Sequence, residues 1–329
     1  MCLYPKLINN RKYQNNKKNG GIIPPVSDKR VLVVPVGCGK CMECKKQKSR
    51  EWAVRLHEEI RHDKRGKFVT LTFSDESIKE LKKGEELNGY DLDNQIAKKA
   101  IRRFLERWRK KYKKSVKHWL VTELGGNGTE NIHLHGIIWT DENAKTINEI
   151  WKYGFTWVGD KGNGGYVNEK TINYIVKYVN KTDIKHKEYN SKILTSAGIG
   201  KKYIERIDAK KNKYNGEETK ETYNTKQGIK MALPIYYRNK IYTEEEKEKL
   251  WLQKLDKEIR YINGIEIDIS RGEDNYYKVL KEERAKNNRL GYGNDTKNWE
   301  LKRYENNRRN MLVKQRIWRA NEKRNGNHQ

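Results

Sequence analysis

The stretch NIHLHGIIW, Asn131–Trp139, holds two of the seven histidines of this 329-residue chain. Apolar residues alternate with His133 and His135, which is typical of a strand with a buried face. Residues two apart in a strand point to the same side, so the two imidazoles face together. Such a pair suits a divalent metal ion, with one nitrogen from each ring. The alternative is that one histidine faces solvent and the other bonds a backbone group.

The segment before this stretch predicts its partner strand. VKHWLVTEL, Val116–Leu124, has strand character, and the glycine-rich turn GGNGTE (125–130) would join the two strands as a hairpin. An antiparallel pairing of Glu123 with His133 would place the carboxylate beside the imidazoles. Two histidines and a carboxylate accept Mg²⁺ or Mn²⁺ and leave positions for phosphate and water. Glu123 is alternatively an ordinary charge at the end of a strand.

The helix predicted for TINYIVKYVNK, Thr171–Lys181, carries two neighbouring stripes. The first is apolar and forms a complete core face: Ile172, Ile175, Val176 and Val179. The second follows the same spacing with phenols and ammonium groups: Tyr174, Lys177, Tyr178 and Lys181. Because the core face is complete without the tyrosines, the second stripe suits a surface that handles phosphate. Tyr174 and Tyr178 lie one turn apart, so their Cβ atoms are about 5–6 Å from each other.

Working outward, the periodicities predict an α+β fold with a mostly antiparallel sheet. The order is strand, helix, strand, strand, helix, strand, helix. The segments are KFVTLTF (67–73), a helix over 92–113, the hairpin, a helix over 141–151, FTWVG (155–159) and the tyrosine helix. Outside them we predict a strand at VLVVPV (31–36), a helix over 45–61, and a helix opened by a Thr243–Glu246 capping box that continues through Ile259 and Ile262.

Composition indicates a polyanionic partner. The formal net charge is +28, with 72 Lys and Arg against 44 Asp and Glu, and nucleic acid is the commonest partner of such a chain. A solvated lysine-rich surface encoded by an A+T-rich genome explains the same excess. The sequence shows neither a long apolar span nor an apolar signal core, so we expect no membrane association and a cytosolic protein with free thiols.

The cysteines are confined to the first 44 residues. Cys38, Cys41 and Cys44 are separated by two residues each, and with Cys2 they could form a tetrahedral zinc site of structural type. A tight turn that merely needs small residues is the alternative. An iron–sulfur cluster is less favoured, because no redox step is needed.

The paired histidines followed by Tyr-x-x-x-Tyr resemble the HUH endonuclease superfamily. Further segments resemble, in order, the replication initiators of microviruses of the gokushovirus type: GCGKCMECKKQKSREWAVRLHEE, VTLTF, TELG, WKYGFTWVG and YIVKYVNK. This resemblance covers roughly residues 1–240. It implies an HUH-type central antiparallel sheet flanked by helices, with a Cys-rich N-terminal segment (1–45), an HUH domain (46–240) and a basic, largely helical C-terminal extension (241–329).

The resemblance also implies an activity. Such initiators nick single-stranded DNA at an origin, keep the 5′ end on a tyrosine, and leave a 3′-OH that primes rolling-circle synthesis before strand transfer closes the circle. Carried over by position, His133 and His135 bind Mg²⁺ or Mn²⁺, with Glu123 as the less secure third ligand. Tyr174 and Tyr178 are the nucleophiles, and Lys177 stabilises phosphate charge or orients the phenols.

Partners follow from the same interpretation. We predict binding to single-stranded and supercoiled phage DNA in the cytoplasm of a bacterial host, with contacts from Lys181, Arg102 and Arg103. No GxxxxGK[ST] motif appears in the sequence, so we expect helicase and replication machinery from the host. Two alternatives stay open: a non-catalytic, zinc-stabilised nucleic-acid-binding protein, and an HUH relaxase or transposase.

Overall fold

The computed structural model describes residues 2–17, 19–125, 130–159, 167–182, 185–186 and 189–294. Most of the GGNGTE turn and residues 295–329 of the predicted C-terminal extension lie outside these ranges. In chain order the strands and helices are β1 (Lys6–Asn9), β2 (Val33–Val36), α1 (Met42–His62), β3 (Gly66–Leu71), α2 (Asp75–Lys82), α3 (Gly89–Tyr112), β4 (Lys117–Leu124), β5 (Ile132–Trp139), α4 (Ala144–Trp151), β6 (Thr156–Val158), α5 (Glu169–Asn180), β7 (Ile193–Thr195), α6 (Ile207–Lys210), β8 (Thr222–Asn224), β9 (Lys230–Ala232), α7 (Ile235–Ile241), α8 (Glu244–Asp256), β10 (Ile259–Ile262), β11 (Ile265–Asp268) and α9 (Asp274–Arg289).

These elements fall into two compact units. The larger contains residues 46–213 and 220–241, and the smaller contains residues from 1–45, 214–219 and 242–329. The predicted functional division at 1–45, 46–240 and 241–329 stays a prediction.

The larger unit is built on a five-stranded sheet with the order β6-β3-β5-β4-β7, in which all neighbours are antiparallel. Side chains from one face pack with α3 and α4, and those from the other face pack with α1 and α5. The predicted fold class is therefore confirmed. The sequence did not reveal α2, or the edge strand β7, which has three residues and a pattern too short to detect.

Glycine at position 136 is required by the close approach of β4 to β5. A Cβ atom built there would lie 2.1 Å from the carbonyl oxygen of Trp119 and 2.7 Å from the Cα of Leu120. No residue with a side chain fits at that distance without moving the strands. The tight β4–β5 pair carries the histidines and Glu123.

The smaller unit corrects one prediction. The Thr243–Glu246 capping box does open a helix, α8, but that helix ends at Asp256. Ile259 and Ile262, which we expected on the same helix, lie in β10. The physical reason is the turn at Asn263–Gly264, where both residues have positive φ (49° and 83°). Asn-Gly favours this turn, whose twist matches an antiparallel hairpin, here β10–β11.

The core of the smaller unit is small. Its buried members come from the N-terminus, the β10–β11 hairpin and α9: Leu3, Tyr4, Cys41, Ile262, Ile267, Tyr276 and Leu280. The strand predicted for 31–36 begins at Val33 and pairs only with β1, so Pro35 is in an edge position as expected. Within the described residues, no helix combines the length and apolar character that a membrane span needs.

Candidate metal centre and tyrosine pair

The pairing of β4 with β5 has the predicted register. Glu123 is directly opposite His133, and Val121 is opposite His135. Glu123, His133 and His135 therefore point to one face of the sheet, the face that α5 covers. The neighbouring residues Ile132 and Leu134 point to the other face and are buried.

The three side chains converge on one point. His133 Nε2 and His135 Nε2 each lie 3.1 Å from Oε2 of Glu123. An octahedral ion about 2.1 Å from each ligand separates adjacent ligands by about 3.0 Å. The spacing therefore matches a divalent cation held by two imidazoles and one carboxylate.

A threonine of β3 fixes one of these imidazoles. Thr70 is directly opposite His135, and its Oγ1 lies 3.0 Å from Nδ1 of that histidine. When Nε2 binds a cation, Nδ1 carries the proton and donates it in a hydrogen bond to Thr70. Sequence analysis did not single out Thr70; its signal was its outward position in the strand segment VTLTF.

Helix α5 places both predicted tyrosines beside this cluster. Its apolar face is buried as expected, and an Asn168–Thr171 capping box fixes its start. The ring of Tyr178 stacks on the ring of His135, with centroids 4.4 Å apart and planes 14° from parallel. Tyr174 is 48% exposed, and its hydroxyl oxygen lies 2.6 Å from that of Tyr178. Both phenols thus share one position at the edge of the cluster.

The charges around the cluster are coupled. Lys181 Nζ donates a hydrogen bond to Oε1 of Glu123 and lies 5.7 Å from the ring centroid of Tyr178. Burial raises the pKa of Glu123, but hydrogen bonds from His133, His135 and Lys181 outweigh it and lower that pKa below its ordinary range. For Tyr178, burial first, then the Tyr174 hydroxyl and the Glu123 charge, raise the pKa.

The structure does not bring every predicted residue to this cluster. Lys177 is exposed, and within the described residues no hydrogen bond or ion pair ties its ammonium group to the cluster. Arg102 and Arg103 lie on α3, which packs on the opposite face of the sheet, and they pair with Glu106 and Glu80. Contacts of these three residues with DNA stay a prediction.

The four cysteines form a second cluster, in the smaller unit. Their sulfur atoms all lie within 4.8 Å of one another, and Sγ of Cys2 is 3.9 Å from Sγ of Cys41. A zinc ion with sulfurs at about 2.3 Å in a tetrahedron sets them about 3.8 Å apart, whereas a disulfide needs about 2.05 Å. The cluster therefore fits a metal better than a disulfide.

Backbone amides support this second cluster. The N–H groups of Tyr4 and Cys38 donate to Sγ of Cys2 at 3.3 and 3.2 Å. Those of Lys40 and Cys41 donate to Sγ of Cys38 at 3.5 and 3.3 Å. Amide donors stabilise sulfur in the thiolate form, which is the form that binds metal.

Comparison with known proteins now places the chain. The family model for replication-associated proteins of the ORF2 type matches residues 66–183, a range that begins with β3 and ends just after α5. This chain resembles phage replication-associated proteins. Replication-associated protein ORF2 of Spiroplasma virus 4 is 27% identical over 285 residues, which cover 75% of this chain and 82% of the relative.

Two further relatives agree. Replication-associated protein VP4 of Bdellovibrio phage phiMH2K is 27% identical over 238 residues, 66% of this chain and 70% of the relative. Replication-associated protein ORF4 of Chlamydia phage 1 is 24% identical over 168 residues, 45% of this chain and 38% of the relative. No solved structure matches. The resemblance to microvirus replication initiators that the motifs predicted is confirmed.

Proposed function

We propose that this protein initiates rolling-circle replication by nicking single-stranded phage DNA at its origin with a tyrosine nucleophile. The observation that carries the proposal is the convergence of the Tyr174 and Tyr178 hydroxyls with Glu123, His133 and His135 on one face of the sheet. A cluster of this kind has the parts that phosphoryl transfer needs: a nucleophile, cation ligands and a nearby positive charge.

The attack forms one bond and breaks one. A phenolic oxygen bonds to phosphorus while the bond from phosphorus to the 3′ oxygen breaks, so the protein keeps the 5′ phosphate and the DNA gains a 3′-OH. The phenolic proton is lost and the leaving oxygen gains one. Mg²⁺ or Mn²⁺ held by Glu123, His133 and His135 would polarise the phosphate and neutralise its charge. Lys181, beside Glu123 and the Tyr178 ring, adds positive charge at the same place.

The second tyrosine suits strand transfer. Because the two hydroxyls are 2.6 Å apart, either can reach a phosphate held at the cluster. After one has formed the covalent link, the other can attack a second phosphate, and a free 3′-OH can attack the first phosphotyrosine to rejoin the strand. A single tyrosine would have to complete one linkage before it started the next.

We also propose that the cysteine cluster binds structural Zn²⁺. The sulfur spacing, the amide donors and the small surrounding core support this. The ion would hold Cys2, close to the N-terminus, against the Cys38–Cys44 segment. Elemental analysis of purified protein tests the proposal, with about one zinc per chain expected; a zinc-free protein with intact thiols would contradict it.

The nicking proposal is tested with labelled single-stranded DNA and Mn²⁺ on a denaturing gel. The substrates are oligonucleotides that tile a cognate phage genome, or a random A+T-rich pool. We expect an adduct that survives denaturation and vanishes in the double variant Tyr174→Phe/Tyr178→Phe. Tyr261→Phe, which removes an exposed phenol in the smaller unit, is the matched control and keeps the adduct.

The single variants and chelation separate the alternatives. Loss of the adduct in one single variant identifies the principal nucleophile, and persistence in both shows that the tyrosines alternate. Chelation by EDTA stops nicking but leaves DNA binding in place. Tight binding without any adduct would refute the proposal and favour the non-catalytic binding protein. Cleavage at a transfer site outside the replication origin would favour the relaxase or transposase.

A further inference from the structure

Strand β6 presents two large aromatic side chains to solvent beside the metal centre. Phe155, just before the strand, is 69% exposed, and Trp157 is 42% exposed. They are two residues apart, so they point to the same face. Trp157 is directly opposite Thr70, which in turn is opposite His135, so this is the face with the histidines.

The two residues extend an aromatic series that begins at the tyrosines. The ring of Phe68 lies edge-on to the rings of Tyr174 (centroids 6.1 Å apart) and Trp157 (5.5 Å). We call Phe68, Trp157 and Phe155 the aromatic row. Single exposed aromatic residues are common on protein surfaces, but a contiguous apolar patch next to a site indicates a binding surface.

Core packing does not explain the row. The intervening residues Thr156 and Val158 point to the opposite face and are buried, so the strand is already anchored. Most of the Phe155 side chain and much of the Trp157 side chain stay in water, at a cost of apolar exposure that a polar residue would avoid.

The row lies at nucleotide distance from the proposed point of attack. Thr70 separates Trp157 from His135 in the sheet, and neighbouring strands are about 4.8 Å apart, so the Trp157 and His135 backbones are about 10 Å apart. Stacked nucleotides rise about 3.4 Å each along a strand. Trp157 is therefore within a few nucleotides of a phosphate held at the metal centre.

We propose that the aromatic row is a stacking platform for unpaired bases of single-stranded DNA next to the scissile phosphate. The occupant follows from the position of the row beside tyrosines suited to phosphate chemistry and from the net charge of +28, which favours a polyanion over a protein partner. Aromatic faces accept any base, so the row adds affinity without reading sequence. The inference rests on the proposed function.

The test measures binding in EDTA, by fluorescence anisotropy, so that no strand is cut. The probes are an oligothymidylate of about 20 nucleotides, longer than the roughly 4–16 nucleotides that one single-strand-binding fold covers, and an oligomer of the same length made of abasic nucleotides. Both carry the same phosphates, and only the first carries bases. The variants are Trp157→Ala, Phe155→Ala and the conservative Trp157→Phe. Tyr261→Ala, another exposed aromatic residue, is the control.

We expect Trp157→Ala to weaken oligothymidylate binding by about 5- to 150-fold, the range for one lost base stack. Phe155→Ala weakens it in the same way, whereas Trp157→Phe and Tyr261→Ala stay close to wild type. None of the variants changes binding of the abasic oligomer. Equal losses on both oligomers, or no loss on oligothymidylate, would overturn the platform.

The adduct assay keeps this inference separate from the proposed function. If wild type forms the adduct but Trp157→Ala binds oligothymidylate normally, the platform is wrong and the nicking proposal stands. If wild type forms no adduct while the base-dependent loss at Trp157 holds, nicking is wrong and the platform belongs to a DNA-binding protein.

Discussion

Replacing Gly136 by alanine tests the close strand approach that supports the metal centre. The added Cβ would sit 2.1 Å from the Trp119 carbonyl oxygen, whereas ordinary contact starts at 3.4 Å. The strands must therefore separate by up to 3.4 − 2.1 = 1.3 Å at this point. A ladder hydrogen bond of about 2.9 Å does not survive such a shift.

The magnitude follows from two contributions. Overpacking of this kind costs about 1–3 kcal/mol, and each lost ladder hydrogen bond adds about 1 kcal/mol. Stiffening of the unfolded chain by alanine returns only about 0.4–1 kcal/mol. We expect the free energy of unfolding to fall by about 3 kcal/mol, and the adduct yield to fall with it because His135 adjoins the displaced residue.

The assay is urea unfolding followed by tryptophan fluorescence, with the midpoint converted through an unchanged m value. The control is Gly66→Ala, in the neighbouring strand β3. There the new Cβ meets only side-chain atoms of Ile137, Trp139 and Val167, at 3.2–3.4 Å, and the expected loss is below about 1 kcal/mol. Equal losses for Gly136→Ala and Gly66→Ala would refute the argument.

Three further predictions follow from other parts of the chain. Arg206→Leu removes hydrogen bonds of 2.7 and 2.9 Å to the fully buried Glu58 and should cost about 3–5 kcal/mol in urea unfolding; Arg65→Leu, in a half-exposed pair, should cost about 0–1 kcal/mol, and similar losses would contradict this. Burial raises the pKa of Asp63, but hydrogen bonds from its basic neighbours lower it to about 2, so its stabilisation is present above its ordinary value of about 3.9 and is lost as pH falls toward about 2; Asp63→Asn should flatten that part of the stability curve, and an unchanged acid limb would count against it. Cys41→Ser should abolish zinc binding and hydrogen-exchange protection of the smaller unit while the larger unit keeps its protection, and retained zinc would argue against the four-cysteine site.

Local periodicity determined much of this protein. Alternation of apolar residues with His133 and His135 defined β5 and the shared face of the imidazoles, and the complete apolar stripe of α5 set the tyrosines apart from the core. These properties depend on backbone geometry within one element, about 2 residues per repeat in a strand and about 3.6 in a helix. They can therefore be read from a single segment.

Local patterns also misled where a stronger signal was overlooked. The spacing of Ile259 and Ile262 favoured a longer helix, but the Asn263–Gly264 pair between two apolar runs is a hairpin signal that decides the turn.

The tertiary structure alone decided which groups meet. Thr70 reaches His135, and the aromatic row reaches the tyrosines, because β3 lies between β5 and β6 in the sheet. The four sulfurs converge because Cys2 folds back onto the Cys38–Cys44 segment. Such contacts join residues far apart in the chain, and their formation depends on strand order, register and packing over the whole unit, which no local repeat encodes.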